Sequence, residues 1–223
     1  MLASFITDYN DAVFDTDRAE ALRVVQRALD HGASPEDVVF RIVVPAMDQM
    51  IAAISENFDA NLAQHFMTAQ IASEVTDSML QRFAAPPRTL GRIVIGSAKG
   101  DMHSLGKRIV MGCLKAQMVE CIDLGVNVAP ARFVDEAVAH HASVIGISAM
   151  MAHTARGPDG CLGVRRLLEE RGLDTRIRII VGGAPYRFDP DLHRTVRADA
   201  WAEDGISAGK VIASLLGELP PWP

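Results

Sequence analysis

Gly91-Arg92-Ile93-Val94-Ile95-Gly96, followed closely by Asp101-Met102-His103-Ser104-Leu105-Gly106, is the stretch whose reading decides the fold. A β-branched run closed by small residues reads as a buried parallel strand. An Asp and a His two residues apart in the next loop would then lie at the carboxyl end of that strand, where open α/β sheets bind ligands. Neutral imidazole is the commonest protein ligand for a metal, and a carboxylate on its other ring nitrogen is the usual supporting partner. The pattern therefore offers His103 to a metal, with Asp101 behind it. The same two residues could instead cap the helix that starts near Ser104.

Working outward, strands alternate with helices from Leu90 onward. Strands are expected at 92–96, 119–123, 144–148 and 177–181, with a short one near 199–202. Helices are expected at 104–117, 131–141, 159–171 and 204–216, with a weaker one near 189–196. That alternation implies a parallel sheet with right-handed crossovers. Five strands in this length point to a flavodoxin-like (Rossmann-like) doubly wound α/β fold, order 2-1-3-4-5.

The preceding residues read differently. Residues 1–85 show helical periodicity and almost no strand signal. Thr16-Asp17 caps a helix running to about Asp30, ended by His31-Gly32. Ser34-Pro35-Glu36-Asp37 opens another, with Ser as N-cap, Pro at the first helical position and acids in the first turn. Val38, Val39, Ile42, Val43, Met47, Met50 and Ile51 then recur at three and four. A third helix runs from about Leu62 to Phe83, with Phe66, Ala69, Ala72, Val75 and Met79 on one face. Ala85-Pro86-Pro87-Arg88 is a stiff linker. The expected division is a helical bundle over 1–87 and an α/β domain over 88–223, with a loose tail at Pro220-Pro221-Trp222-Pro223.

Bulk composition excludes several classes. A net charge of -6 argues against nucleic acid as an electrostatic partner. Cys113, Cys121 and Cys161 have no paired spacing and read as reduced, inert thiols of a cytoplasmic protein. No signal peptide and no membrane-length apolar run are evident.

The ends of strands one, three and four all carry unusual residues: Asp101, His103 and Gly106; then Ser148-Ala149-Met150 with His153 and Thr154 in the loop beyond; then Gly182-Gly183-Ala184-Pro185. Ser148 could simply end a strand, and Gly182-Gly183 could be an ordinary turn. Together, the set Asp101-x-His103-x-x-Gly106, Ser148-x-Met150 and Gly182-Gly183 resembles the cobalamin-binding signature D-x-H-x-x-G, S-x-L, G-G. The spacing from Gly106 to Ser148 is the usual one, and Arg156-Gly157-Pro158-Asp159-Gly160 lengthens the next interval. The resemblance continues through Gly106-Lys107-Arg108-Ile109-Val110, Ile122-Asp123-Leu124-Gly125-Val126 and Ala198-Asp199-Ala200-Trp201-Ala202, and into the bundle at Pro45-Ala46-Met47. Over nearly its whole length the chain is similar to the corrinoid proteins of methyltransferase systems.

The resemblance implies a cofactor, cobalamin, and a role for each residue. His103 would ligate cobalt in place of the cofactor's own base. Asp101 would accept the other ring N–H, and Thr154 would supply the hydroxyl that completes the relay. Ser148 would bond the displaced nucleotide tail, and Gly106, Gly182 and Gly183 would make room for it. Ser104, Met150 and Ala184 would complete the binding set. The bundle would cover the upper face. Met150 stands in place of the usual Leu, and Ala152 where many relatives have Thr. Asn61-Leu62-Ala63-Gln64-His65-Phe66 replaces the Pro-Glu pair of methyl-carrying relatives, and His65 is reminiscent of cobalamin photoreceptors. His65 thus reads either as an upper-face residue or as a half-buried helix residue. The implied function is a carrier subunit, itself non-catalytic, that shuttles a methyl group between partner methyltransferases, served by a reductive activator. The alternative is a cobalamin-dependent sensor acting through a transcriptional regulator. A homo-oligomer is compatible with either; nucleic acid and membrane are not expected as direct partners.

Overall fold

A computed structural model describes residues 2–47, 49, 62–84, 89–219 and 222. The linker 85–88 and residues Met50, Ile51 and Asn61 lie outside the described residues, as does most of the proline-rich tail. The chain forms two compact units: residues 1–88 with 112–118, and residues 89–111 with 119–223. No described helix is long and apolar enough to cross a membrane.

The first unit is helical. α1 (Leu2–Phe14) precedes α2 (Arg18–Asp30), whose N-cap Asp17 accepts the Glu20 N–H at 2.9 Å. α1 carries no cap or charge signal at either end, so it is not delimited by the residues that mark α2. α3 (Pro35–Asp37) starts with a reciprocal capping box between Ser34 and Asp37. The expected continuous α-helix then gives way to a π-helical stretch, Val38–Val43, in which hydrogen bonds span one residue more. The wider turn keeps Val38, Val39, Ile42 and Val43 all inward, and all four are fully buried. In α4 (Leu62–Leu80), Ala69, Ala72, Val75 and Met79 are buried and Phe66 is half-buried.

The second unit is the expected doubly wound sheet. β1 (Gly91–Ser97), β2 (Val119–Asp123), β3 (Val144–Ser148), β4 (Arg178–Gly182) and β5 (Ala200–Ala202) run parallel in the order β2-β1-β3-β4-β5. β1 and β3 are central, and Ile93, Val94, Val144 and Ile145 have no exposure. Between strands lie α5 (Leu105–Ala116), α6 (Pro130–Ala139), α7 (Ala152–Arg156), α8 (Cys161–Glu170), α9 (Ala184–Phe188), α10 (Leu192–Thr195) and α11 (Gly205–Glu218). The short α7 and α9 occupy stretches that read as loops. The tail is not loose at Trp222: its indole is half-buried against the core, 5.4 Å from the His141 ring and under the Arg176 guanidinium at 5.1 Å.

Candidate functional site

β1 and β3 are neighbours whose outgoing connections lead to opposite sides of the sheet, so the crevice at their carboxyl ends is the switch point where ligands bind in such folds. The two strands end level, Ser97 beside Ser148. The loop after β1 carries Asp101 and His103. The loop after β3 carries Met150 and leads into Thr154 on α7.

Asp101 joins the two sides. Its side chain is 1% exposed. Oδ1 accepts the His103 backbone N–H at 3.0 Å and faces His103 Nδ1 at 2.8 Å. Oδ2 accepts the Met150 N–H at 2.7 Å and lies 3.0 Å from the Thr154 hydroxyl. That hydroxyl is also 2.8 Å from the Met151 carbonyl, and its single proton serves one acceptor at a time. Burial alone would raise the Asp101 carboxyl, but the N–H groups of His103 and Met150, with the His103 ring and Thr154, outweigh it and hold the group below the ordinary carboxylate value. Asp101 is therefore an anion at neutral pH and can only accept. The His103 nitrogen facing it carries the proton, which leaves the Nε2 lone pair unshared. The ring is half-exposed, at 54%, and Nε2 has no partner among the described residues.

His103 is held from a third direction. Ser97, fully buried at the end of β1, donates its hydroxyl to the His103 carbonyl at 2.5 Å. The sequence reading did not single out Ser97; a small polar residue closing an apolar strand was the available signal.

The remaining expected residues fall around this centre. Ser104 is half-buried, and its carbonyl accepts the Arg108 N–H at 3.2 Å in the first turn of α5. A methyl group added at Gly106 would meet nothing within 4 Å, so the space there is open. Ser148 has a carbonyl bonded to the Ala98 N–H at 2.9 Å and a hydroxyl without a protein partner among the described residues. Met150 is 41% exposed. Gly183 has φ of 118°, and a Cβ on it would lie 2.0 Å from the Ala149 carbonyl oxygen, so the protein's own backbone demands glycine. At Gly182 the nearest atom to such a Cβ, the Ala202 carbonyl oxygen, is at 3.4 Å, an ordinary contact. Ala184 opens α9 beside them. His65 lies on α4, with its side chain outside the described residues. His153, read as a loop residue, is helical in α7.

The site's surface suits a large, partly apolar ligand. Met102, Leu105, Met150, Met151 and Phe188, on the segments leaving β1, β3 and β4, are exposed large hydrophobics. Exposed apolar side chains gathered on one edge mark a binding surface. A single imidazole backed by a buried carboxylate is the arrangement of a metal-ligating histidine. The fold and site thus define a doubly wound α/β protein with one imidazole nitrogen left open at the ligand-binding edge of its sheet.

Comparison with known proteins identifies the family. Residues 91–208 match a B12 binding domain, and residues 6–61 match a second family described in the same words. The chain is 32% identical to dimethylamine corrinoid protein 3 of Methanosarcina acetivorans over 89% of this chain and 90% of that one. It is 28% identical to trimethylamine corrinoid protein 1 of the same organism, over 95% and 97%. Among solved structures, it resembles a cobalamin-binding protein from Desulfitobacterium hafniense DCB-2 (TM-score 0.75, 19% identity, 94% of this chain and 98% of that one). It also resembles the methanol:cobalamin methyltransferase complex of Methanosarcina barkeri (TM-score 0.75, 21% identity, 98% and 81%). At these identities the structural likeness speaks to the fold. The chain belongs to the B12-binding family of corrinoid proteins, and cobalamin is its cofactor.

Proposed function

We propose that this chain is a methyl carrier: it holds cobalamin and passes a methyl group between partner methyltransferases without catalysing either transfer alone. The observation that carries the reading is the chain of contacts from Thr154 through Asp101 to His103, which leaves one imidazole nitrogen free at the switch point. When bound, the cobalt corrinoid supplies a metal centre that accepts a methyl group and gives it up again. The protein's own part is to ligate, orient and shield.

His103 would hold the cobalt through Nε2. Asp101 keeps the proton on Nδ1 and fixes the ring, and the Met150 N–H and Thr154 hydroxyl keep Asp101 in place. A proton gained or lost along this chain would alter how strongly Nε2 donates. The Ser148 hydroxyl, without a protein partner among the described residues, would bond the cofactor's tail, and the open space at Gly106 would admit it. Ser104, Met150, Gly182, Gly183 and Ala184, on the segments leaving β1, β3 and β4, would complete the binding set. In this reading residues 1–87 are the helical cap domain, to which His65 belongs, and residues 88–223 are the cobalamin-binding domain. Methyltransferase subunits are the partners, as the methylamine corrinoid relatives support. A reductive activator, a cytoplasmic setting and a homo-oligomeric state complete the proposal.

The test is reconstitution with methylcobalamin and hydroxocobalamin, comparing wild type with His103→Ala by ultraviolet–visible spectroscopy. Wild type should retain the cofactor with an imidazole-ligated spectrum, and the variant should show the unligated form. A wild-type protein that retains no cobalamin, or a variant with an unchanged spectrum, would refute the assignment. Methyl transfer from the loaded protein should require an added methyltransferase; transfer by the carrier alone would overturn its non-catalytic role.

A further inference from the structure

The loop after β2 makes no hydrogen bond to the side chains of the Thr154–Asp101–His103 chain, yet it is laced to the loop that carries Asp101 and His103. Leu124 N–H donates to the Ile95 carbonyl at 2.8 Å, Ser97 N–H to Gly125 at 3.0 Å and Val128 N–H to Ser97 at 2.9 Å. On its far side, Asp123 accepts the Gly125 N–H at 2.8 Å and pairs with the ammonium of buried Lys107. The centre of this lacing is Asn127. Its backbone N–H donates to the Asp101 carbonyl at 2.9 Å, and its side-chain Oδ1 accepts the Gly100 N–H at 2.8 Å.

Asn127 stands at φ 54°, in the left-handed region that Asn enters more readily than other side chains. Gly100 stands at φ 83°, inside a tight turn that the Asp101 N–H closes on the Ala98 carbonyl at 2.9 Å. Asn127 therefore grips that turn twice, on the Gly100 N–H and on the Asp101 carbonyl. Neither group has another partner in its own loop.

We infer that Asn127 is a positioning residue: by clamping the Gly100–Asp101 turn it sets where Asp101, and through it the His103 ring, stands. It acts through Asp101 and not on the cofactor. Its importance for ligation rests on the function proposed above; its effect on the turn does not.

Two variants isolate the side chain. Asn127→Gly keeps the backbone donor and tolerates the left-handed conformation but removes the acceptor. Asn127→Asp keeps both. In the cofactor-free protein, amide hydrogen exchange should be faster in Asn127→Gly at Gly100 and also at His103, whose N–H is held by Asp101 and not by Asn127. Both rates should return to wild type in Asn127→Asp. In protein loaded with hydroxocobalamin, the ratio of imidazole-ligated to unligated cofactor should fall by about threefold to tenfold in Asn127→Gly, the worth of one net hydrogen bond. Asn127→Asp should restore it. Unchanged exchange at His103 in Asn127→Gly, or a change that Asp does not restore, would overturn the inference, whatever the cofactor does. If wild type retained no cobalamin, the proposed function would fall while the exchange data still judged the clamp.

Discussion

Two aspartates stand at opposite ends of the same sheet with nearly the same equipment. Asp101 lies beyond the carboxyl end of β1, and Asp199 lies just before β5 at the amino edge. Each accepts a backbone N–H: Met150 and His103 for Asp101, and Ile179 at 2.6 Å for Asp199. Each faces a nitrogen side chain. Asp199 meets Arg165, whose guanidinium donates to it at 2.6 Å and to the Arg197 carbonyl at 2.9 Å while 9% exposed, with Arg178 at 3.8 Å. Arg165 is thus committed to the protein through both contacts. His103 spends one nitrogen and keeps the other. The same carboxylate chemistry gives a closed clamp at one edge and an imidazole with one nitrogen left open at the other, and the difference lies in the partner.

That comparison can be broken in several ways. Arg165→Ala should have the largest effect on stability, about 3–5 kcal/mol in urea unfolding, because Asp199 is left half-buried without its main partner. Cobalamin ligation in the surviving folded protein should be unchanged; a lost imidazole-ligated spectrum would show that the two ends are coupled. Asp101→Asn should come next, at about 2 kcal/mol, since an amide cannot accept at both oxygen positions and sets a donor against existing donors. Here the spectrum should change as well.

The Asp101 contribution also has a pH signature. Its carboxyl sits below the ordinary value of about 3.8, so its contribution is complete above that pH and is lost as pH falls through the lowered value. The stability gap between wild type and Asp101→Asn should therefore be flat from neutral pH to about 4 and narrow below it. A gap that widens on acidification would contradict the hydrogen-bond pattern. His103→Ala should alter stability by no more than about 0.5 kcal/mol, because the ring is half-exposed. A larger loss would make His103 a structural residue. Smallest of all, Tyr186→Phe in the cofactor-free protein should leave the melting midpoint unchanged or slightly higher, because its buried hydroxyl has no described partner.

Much of this was legible in the sequence, for a physical reason. Ile93-Val94-Ile95 and Val144-Ile145 are β-branched runs that suit a sheet buried on both faces, while strand number and order followed from five strands alternating with helices. Asp101 and His103 were legible because a signature preserved their mutual spacing, and Thr154 because the resemblance extends to its place in the loop after β3. Ser97 and Asn127 were not: each acts through a hydrogen bond to backbone in another segment, and backbone leaves no mark on residue type. α7 and α9, at five residues each, are too short to show helical periodicity. The π-helical stretch was hidden because buried pairs at Val38-Val39 and Ile42-Val43 satisfy the three-and-four pattern equally well.

The glycines of the signature carry a last consequence, for how such motifs are inherited. Gly183 leaves no room for any other residue, since its missing side chain is where the Ala149 carbonyl stands. A lineage that abandoned the cofactor but kept the fold would still be compelled to write glycine there. At Gly106 the polypeptide imposes no such demand, as the space beyond it is open. Drift at position 106 with glycine retained at 183 would therefore be the scar of a protein that had stopped carrying its cofactor and gone on folding.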